Sequence, residues 1–123
     1  MSGARVLQMI IRIGGLIALA LGAAFWAGRG LRFVGIHMLV GLIVVIALWA
    51  IAIVNARQGG GVGATLTGIV VGLVLLGVGL TQRSLLPGAE HWIIQVIHLL
   101  VALLAIGSGE MIGGSIAKAK RRF

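Results

Sequence analysis

Residues 31–54 read LRFVGIHMLVGLIVVIALWAIAIV, an almost unbroken apolar run that contains one arginine and one histidine. A helix of about 20 apolar residues is long enough to cross the hydrocarbon core of a bilayer. Because lipid offers a bare backbone no hydrogen-bond partner, a run of this kind crosses the membrane as an α-helix. The stretch therefore predicts a membrane-spanning helix.

Three more apolar runs flank this one, at about 6–27, 62–81 and 89–116. The links between the four runs are short, and short links make sequence neighbours antiparallel neighbours in space. We therefore predict an all-α fold, an integral membrane up-down four-helix bundle in which residues 1–123 form a single four-span domain. We expect this bundle to be surrounded by membrane lipid.

The composition supports this class and excludes others. Hydrophobic residues make up 60% of the chain and charged residues 10%, whereas soluble domains are about half apolar and a quarter charged. Disordered chains are poor in apolar residues. The chain contains no cysteine, which excludes disulfides and thiolate metal sites. The net charge of +8 belongs to residues at the ends of apolar runs, so we expect no nucleic-acid partner.

The distribution of lysine and arginine predicts the orientation, because positive residues collect in cytoplasmic loops. Three arginines lie on one side of the four runs, and seven basic residues lie on the other. We therefore predict that both termini are cytoplasmic, in the inner membrane of a bacterium or archaeon. The outer set is Arg29, Arg32 and Arg83, and the inner set is Arg5, Arg12, Arg57, Lys118, Lys120, Arg121 and Arg122.

Three histidines, His37, His91 and His98, fall in the predicted outer half of the membrane. Polar side chains in a bilayer are costly and tend to be functional. At 1.5 Å per residue, His37 lies about 9 Å and His98 roughly 13 Å below the outer ends of two parallel spans. We expect these two side chains to approach a common point between the helices, where a metal can bind. His91 lies near the surface and is the alternative ligand.

With Gly41 one turn below His37, this pair resembles the small four-helix b-type cytochromes. The resemblance implies one haem b near the outer face, held by His37 and His98, with Gly41 making room for the ring. The candidate pair lies on one side only, which implies one haem rather than two. The predicted function is to carry electrons, with quinone or an outer-face redox protein as partner; whether the protein is an enzyme is left open.

The two propionates of haem need cations, and Arg29, Arg32 and Arg83 are the cations of the outer side. We therefore include these arginines among the predicted cofactor-binding residues. A structural zinc site is less suitable, because it requires about four ligands and no cysteine or aspartate is available.

Two other functional classes remain open from the sequence. Glu110, near the cytoplasmic end of the fourth run, is the candidate carboxylate of a small proton-coupled transporter; its alternative role is pairing with Arg12 or Arg57. The third functional class that the sequence leaves open is an accessory subunit of a larger membrane complex. Its oligomeric state is left open, with a homodimer as one option.

Overall fold

Four long α-helices form the computed structural model, which describes residues 2–122 and, of Arg122, the backbone alone. A short 3-10 helix, Leu31–Phe33, leads into the second of them. All four are long and apolar enough to cross a membrane. The prediction of an all-helical chain with four such helices is confirmed. The helices are α1 (Gly3–Trp26), α2 (Val34–Arg57), α3 (Val62–Thr81) and α4 (His91–Arg122).

Local sequence explains where the helices begin and end. The hydroxyl of Ser2 accepts a hydrogen bond from the backbone N–H of Arg5 at 3.2 Å, which caps α1 and starts it earlier than the apolar run suggests. The turn after α1 needs positive φ at Gly28 (76°) and Gly30 (67°), which glycine adopts without steric cost. At the other end of the chain, α4 continues to Arg122, beyond the expected end near residue 116, because alanine, lysine and arginine favour helix.

The helices form a bundle in which chain neighbours pack side by side, α1 also packs against α4, and α2 meets α4 across the centre. We call the end that carries the links 27–33 and 82–90 the two-loop end, and the opposite end the termini end. The apolar core is centred on α2 and includes the fully buried Leu48, Ile51 and Ala52, with Ile11 and Ile112 from the outer helices.

Glycines let the helices approach closely near the termini end. A Cβ added at Gly68 of α3 would lie 2.6 Å from Cδ1 of Ile112, and one added at Gly109 would lie 2.9 Å from Cγ2 of Ile11. Such distances leave no space for a larger residue. Close approach through small residues is the usual way in which helices pack in lipid.

Candidate cofactor site

The two-loop half of the bundle contains a partly open cavity of about 670 Å³, lined by residues of all four helices. This volume lies in the range of small-molecule and cofactor sites. Its floor is apolar, formed by residues such as Val44, Val45 and Leu75, which belong to the core. The cavity therefore begins where the close packing of the termini half ends.

His37 and His98 both line this cavity. Their ring centroids are 6.3 Å apart, and the ring planes make an angle of 68°. The ring of Phe25 lies edge-on to His37, with 5.3 Å between centroids, and so restricts the orientation of that imidazole. The structure thus brings together the two histidines that the sequence singled out.

Each of these imidazoles has a polar atom without a partner. Nδ1 of His37 and Nδ1 of His98 are buried and make no hydrogen bond in the described structure. A buried polar atom without a partner costs free energy, so an unpaired nitrogen on both rings of one pair calls for a chemical reason. A bound ligand that uses these rings is one such reason.

Glycines border both rings and the space beside them. A Cβ added at Gly22 would lie 3.5 Å from Cε1 of His37, and one added at Gly79 would lie 3.4 Å from Cε1 of His98. Gly41 lines the cavity, and a Cβ there would have no neighbour within 4 Å. There is thus free space beside Gly41 in the cavity. The roles of Gly22 and Gly79 were not predicted.

The three arginines of the two-loop end are placed differently. Arg83 lines the cavity together with Gln82, whereas neither Arg29 nor Arg32 does. The guanidinium of Arg32 instead stacks over the ring of Phe33, 4.7 Å from its centroid. One cation of the expected three is therefore at the cavity.

His91, the alternative ligand, does not line the cavity. Its Nδ1 lies 3.1 Å from the carbonyl oxygen of Leu85, so the ring holds the link 82–90 against the start of α4. Gln95, one turn further along α4, does line the cavity and adds a polar group beside His98.

Glu110 lies apart from the cavity, at the contact of α1 with α4. Its carboxylate accepts hydrogen bonds from Nε of Arg12 at 2.8 Å and from Nη2 at 2.9 Å. The amide of Gln8 donates a further bond at 3.0 Å. The partner of Glu110 is thus Arg12 rather than Arg57.

Over residues 2–122 there is no group of three or more histidine, cysteine, aspartate or glutamate side chains arranged to hold a metal ion. The structure therefore offers the histidine pair rather than a multidentate protein site. No protein-family model, no curated protein and no solved structure matches this chain.

Proposed function

We propose that the protein is a multi-pass membrane b-type cytochrome that holds one haem b in the cavity, between His37 and His98. The single observation that carries this proposal is the pair of imidazoles, from two helices, that share one cavity and have unpaired buried nitrogens. Haem iron takes axial histidine ligands, and helical bundles build cofactor sites from side chains on facing helices.

The spacing of the two rings supports the proposal. Bonds between an imidazole nitrogen and a metal are about 2 Å long, so two imidazoles that share one ion have ring centres no more than about 6 Å apart. The centroids of His37 and His98 are 6.3 Å apart. Both ring nitrogens of histidine serve as metal ligands.

The distribution of packing supports one cofactor rather than two. The termini half is filled by core residues such as Leu48, Ile51 and Ile112, which are fully buried. The third histidine of the sequence, His91, bonds to Leu85 at the surface. Residues 2–122 therefore contain no second pair of histidines for another site of the same kind.

The chain's own residues would do the following for a bound haem. His37 and His98 would hold it from two helices, Arg83 at the cavity wall would pair with its carboxylates, and the apolar floor would keep water from one side of it. Burial and axial ligands set the potential of such a cofactor. A haem supplies one-electron transfer at iron, with quinone or a redox protein at the two-loop end as the proposed partner.

We further propose the inner membrane of a bacterium or archaeon, with both termini cytoplasmic. The support is the length and hydropathy of the four helices and the unequal distribution of basic residues, with seven at the termini end and three at the two-loop end. The cavity then lies in the outer half of the membrane.

The transporter hypothesis gains no support from the position of Glu110. A proton-coupled carboxylate needs access to a central cavity, whereas this one bonds to Arg12 and Gln8 away from the cavity. We therefore retain the cytochrome as the proposed function.

The test is the absorption spectrum of the full-length protein purified from haem-supplied cells. We expect a Soret band that shifts on reduction. His37→Gly and His98→Gly should each lose this spectrum, because each removes one axial ligand, and free imidazole should restore part of it by entering the vacated space.

His91→Gly is the matched control, since His91 lies outside the cavity; it should keep the spectrum of the unaltered protein. A preparation that stays colourless, and whose spectrum does not change on titration with haem, would refute the proposed function.

A further inference from the structure

A charged pair interrupts the apolar surface where α1 meets α4. The guanidinium of Arg12 and the carboxylate of Glu110 form a bidentate ion pair, with a shortest N–O distance of 2.8 Å. Both side chains remain accessible, at 50% for Arg12 and 41% for Glu110. The pair thus lies on the outside of the bundle and is not enclosed by it.

The depth of this pair follows from its neighbours. α3 has 20 residues and is about 30 Å long, which equals the thickness of the hydrocarbon core. Gly68 lies six residues from the start of α3, about 9 Å inside that layer. Gly68 faces Ile112, which is two residues from Glu110 on α4. Glu110 precedes Ile112 on a helix that runs toward the termini end, so the ion pair lies roughly 12 Å inside the apolar layer.

Charged side chains at such a depth almost always face a bundle interior or a water-filled cavity. Arg12 and Glu110 neutralise each other, but their accessible atoms would face lipid in an isolated chain. Beside Glu110 on α4 lies the exposed Gly107, where a Cβ would meet no atom within 4 Å. A small residue at this place allows another helix to approach closely.

We propose that a second copy of this chain covers the α1–α4 surface, defined by Arg12, Glu110 and Gly107. A two-fold dimer brings the same surface of both copies together. Because this surface carries one positive and one negative group side by side, it is complementary to itself: the arginine of each copy faces the carboxylate of the other. The inference rests on the proposed membrane insertion and not on the proposed haem.

Cysteine cross-linking tests the dimer directly, because the chain contains no cysteine of its own. Full-length Gly107→Cys would be oxidised with iodine, which enters the apolar layer and joins two neighbouring thiols as a disulfide, in phosphatidylethanolamine–phosphatidylglycerol vesicles at high lipid-to-protein ratio. We expect a covalent dimer. Gly77→Cys is the matched control, since Gly77 of α3 is also exposed with nothing within 4 Å of a Cβ; it should stay monomeric.

A second variant tests the role of the charges. Arg12→Leu with Glu110→Leu, placed in the Gly107→Cys protein, leaves two apolar side chains that lipid solvates well. The dimer should then weaken by about tenfold, with helix content by circular dichroism unchanged.

Three results would overturn the inference: no cross-link at residue 107, equal cross-linking at residue 77, or unchanged dimer in the double-leucine protein. A cross-link from residue 107 to a different polypeptide in native membranes would overturn it too. None of these measurements depends on haem, so a colourless dimer would contradict the cytochrome and support the dimer.

Discussion

One hydrogen bond shows how a single glycine positions a large side chain. The indole N–H of Trp49 on α2 donates to the carbonyl oxygen of Ile69 on α3, at 3.2 Å. The indole can reach this carbonyl because Gly72 has no side chain: a Cβ there would lie 2.9 Å from Cδ1 of Trp49. A tryptophan buried in a bundle generally finds a partner for its N–H, and here the glycine provides the access.

Gly72→Ala should therefore displace the indole and break this bond. We expect a loss of about 1–3 kcal/mol in the free energy of unfolding, together with a shifted tryptophan emission, measured by thermal unfolding in detergent. Gly77→Ala is the control on the same helix, because a Cβ at Gly77 would have no neighbour within 4 Å. Equal stability of the two variants would contradict this account of Gly72.

Asn55 has a structural role that the sequence does not predict. The sequence places it at the start of a glycine-rich link, yet it is fully buried. Its amide donates to the carbonyl of Gly61 at 3.0 Å and to the hydroxyl of Thr65 at 2.9 Å. The hydroxyl of Ser115 accepts from the N–H of Gly61 at 3.1 Å. The bond from Gly61 to Ser115, 54 residues further along the chain, fixes the link against α4. No local pattern indicates these bonds, because they depend on the fold of the link and on its packing against α4.

Helix α2 carries two glycines on different faces. Gly41 lines the cavity and Gly35 does not, and a Cβ at either would meet nothing within 4 Å. A larger side chain therefore fits at either position, but only at residue 41 would it occupy space in the cavity.

We expect Gly41→Leu to fill part of the cavity and to weaken haem binding by about tenfold or more. Both Gly41→Leu and Gly35→Leu should keep or slightly raise the stability of the haem-free protein, because leucine favours helix over glycine. Haem titration followed by absorbance, with thermal unfolding of the same samples, measures both effects. Equal haem affinity in the two variants would show that the occupant does not use this space.

The elements themselves were predictable, whereas their rotation about their own axes was not. Long apolar runs predicted the membrane helices, and similar depths on two parallel helices predicted the approach of His37 to His98. α2 is apolar on nearly all sides, so no periodicity marks its inner face. Of the three arginines expected at the site, the structure brings Arg83 to the cavity and leaves Arg29 and Arg32 outside, a difference that depends on packing between distant segments.

The two ends of the helix bundle differ in charge. The two-loop end carries three arginines, and the termini end carries seven basic residues. This difference is the basis of the proposed orientation, since positive residues near membrane helices stay in the cytoplasm.

Single cysteines at exposed positions test this orientation. Gln58→Cys lies in the link at the termini end and Glu90→Cys in the link at the two-loop end, and both residues are exposed. A membrane-impermeant maleimide added to intact spheroplasts should label residue 90 at once and residue 58 only after permeabilisation. The reverse pattern would place the cavity in the cytoplasmic half.

The difference between a closely packed half and a hollow half also affects how the molecule opens. Local opening costs least where few apolar contacts must break, so we expect hydrogen exchange to show the amide protons of the cavity half exchanging before those of the half around Leu48 and Ile112. The packed half is then the unit that keeps the four helices in register while the other half loosens. An occupant that binds the closed form adds its binding free energy to the weaker half. Ligand binding would thereby reduce the difference in stability between the cavity half and the packed half of the bundle.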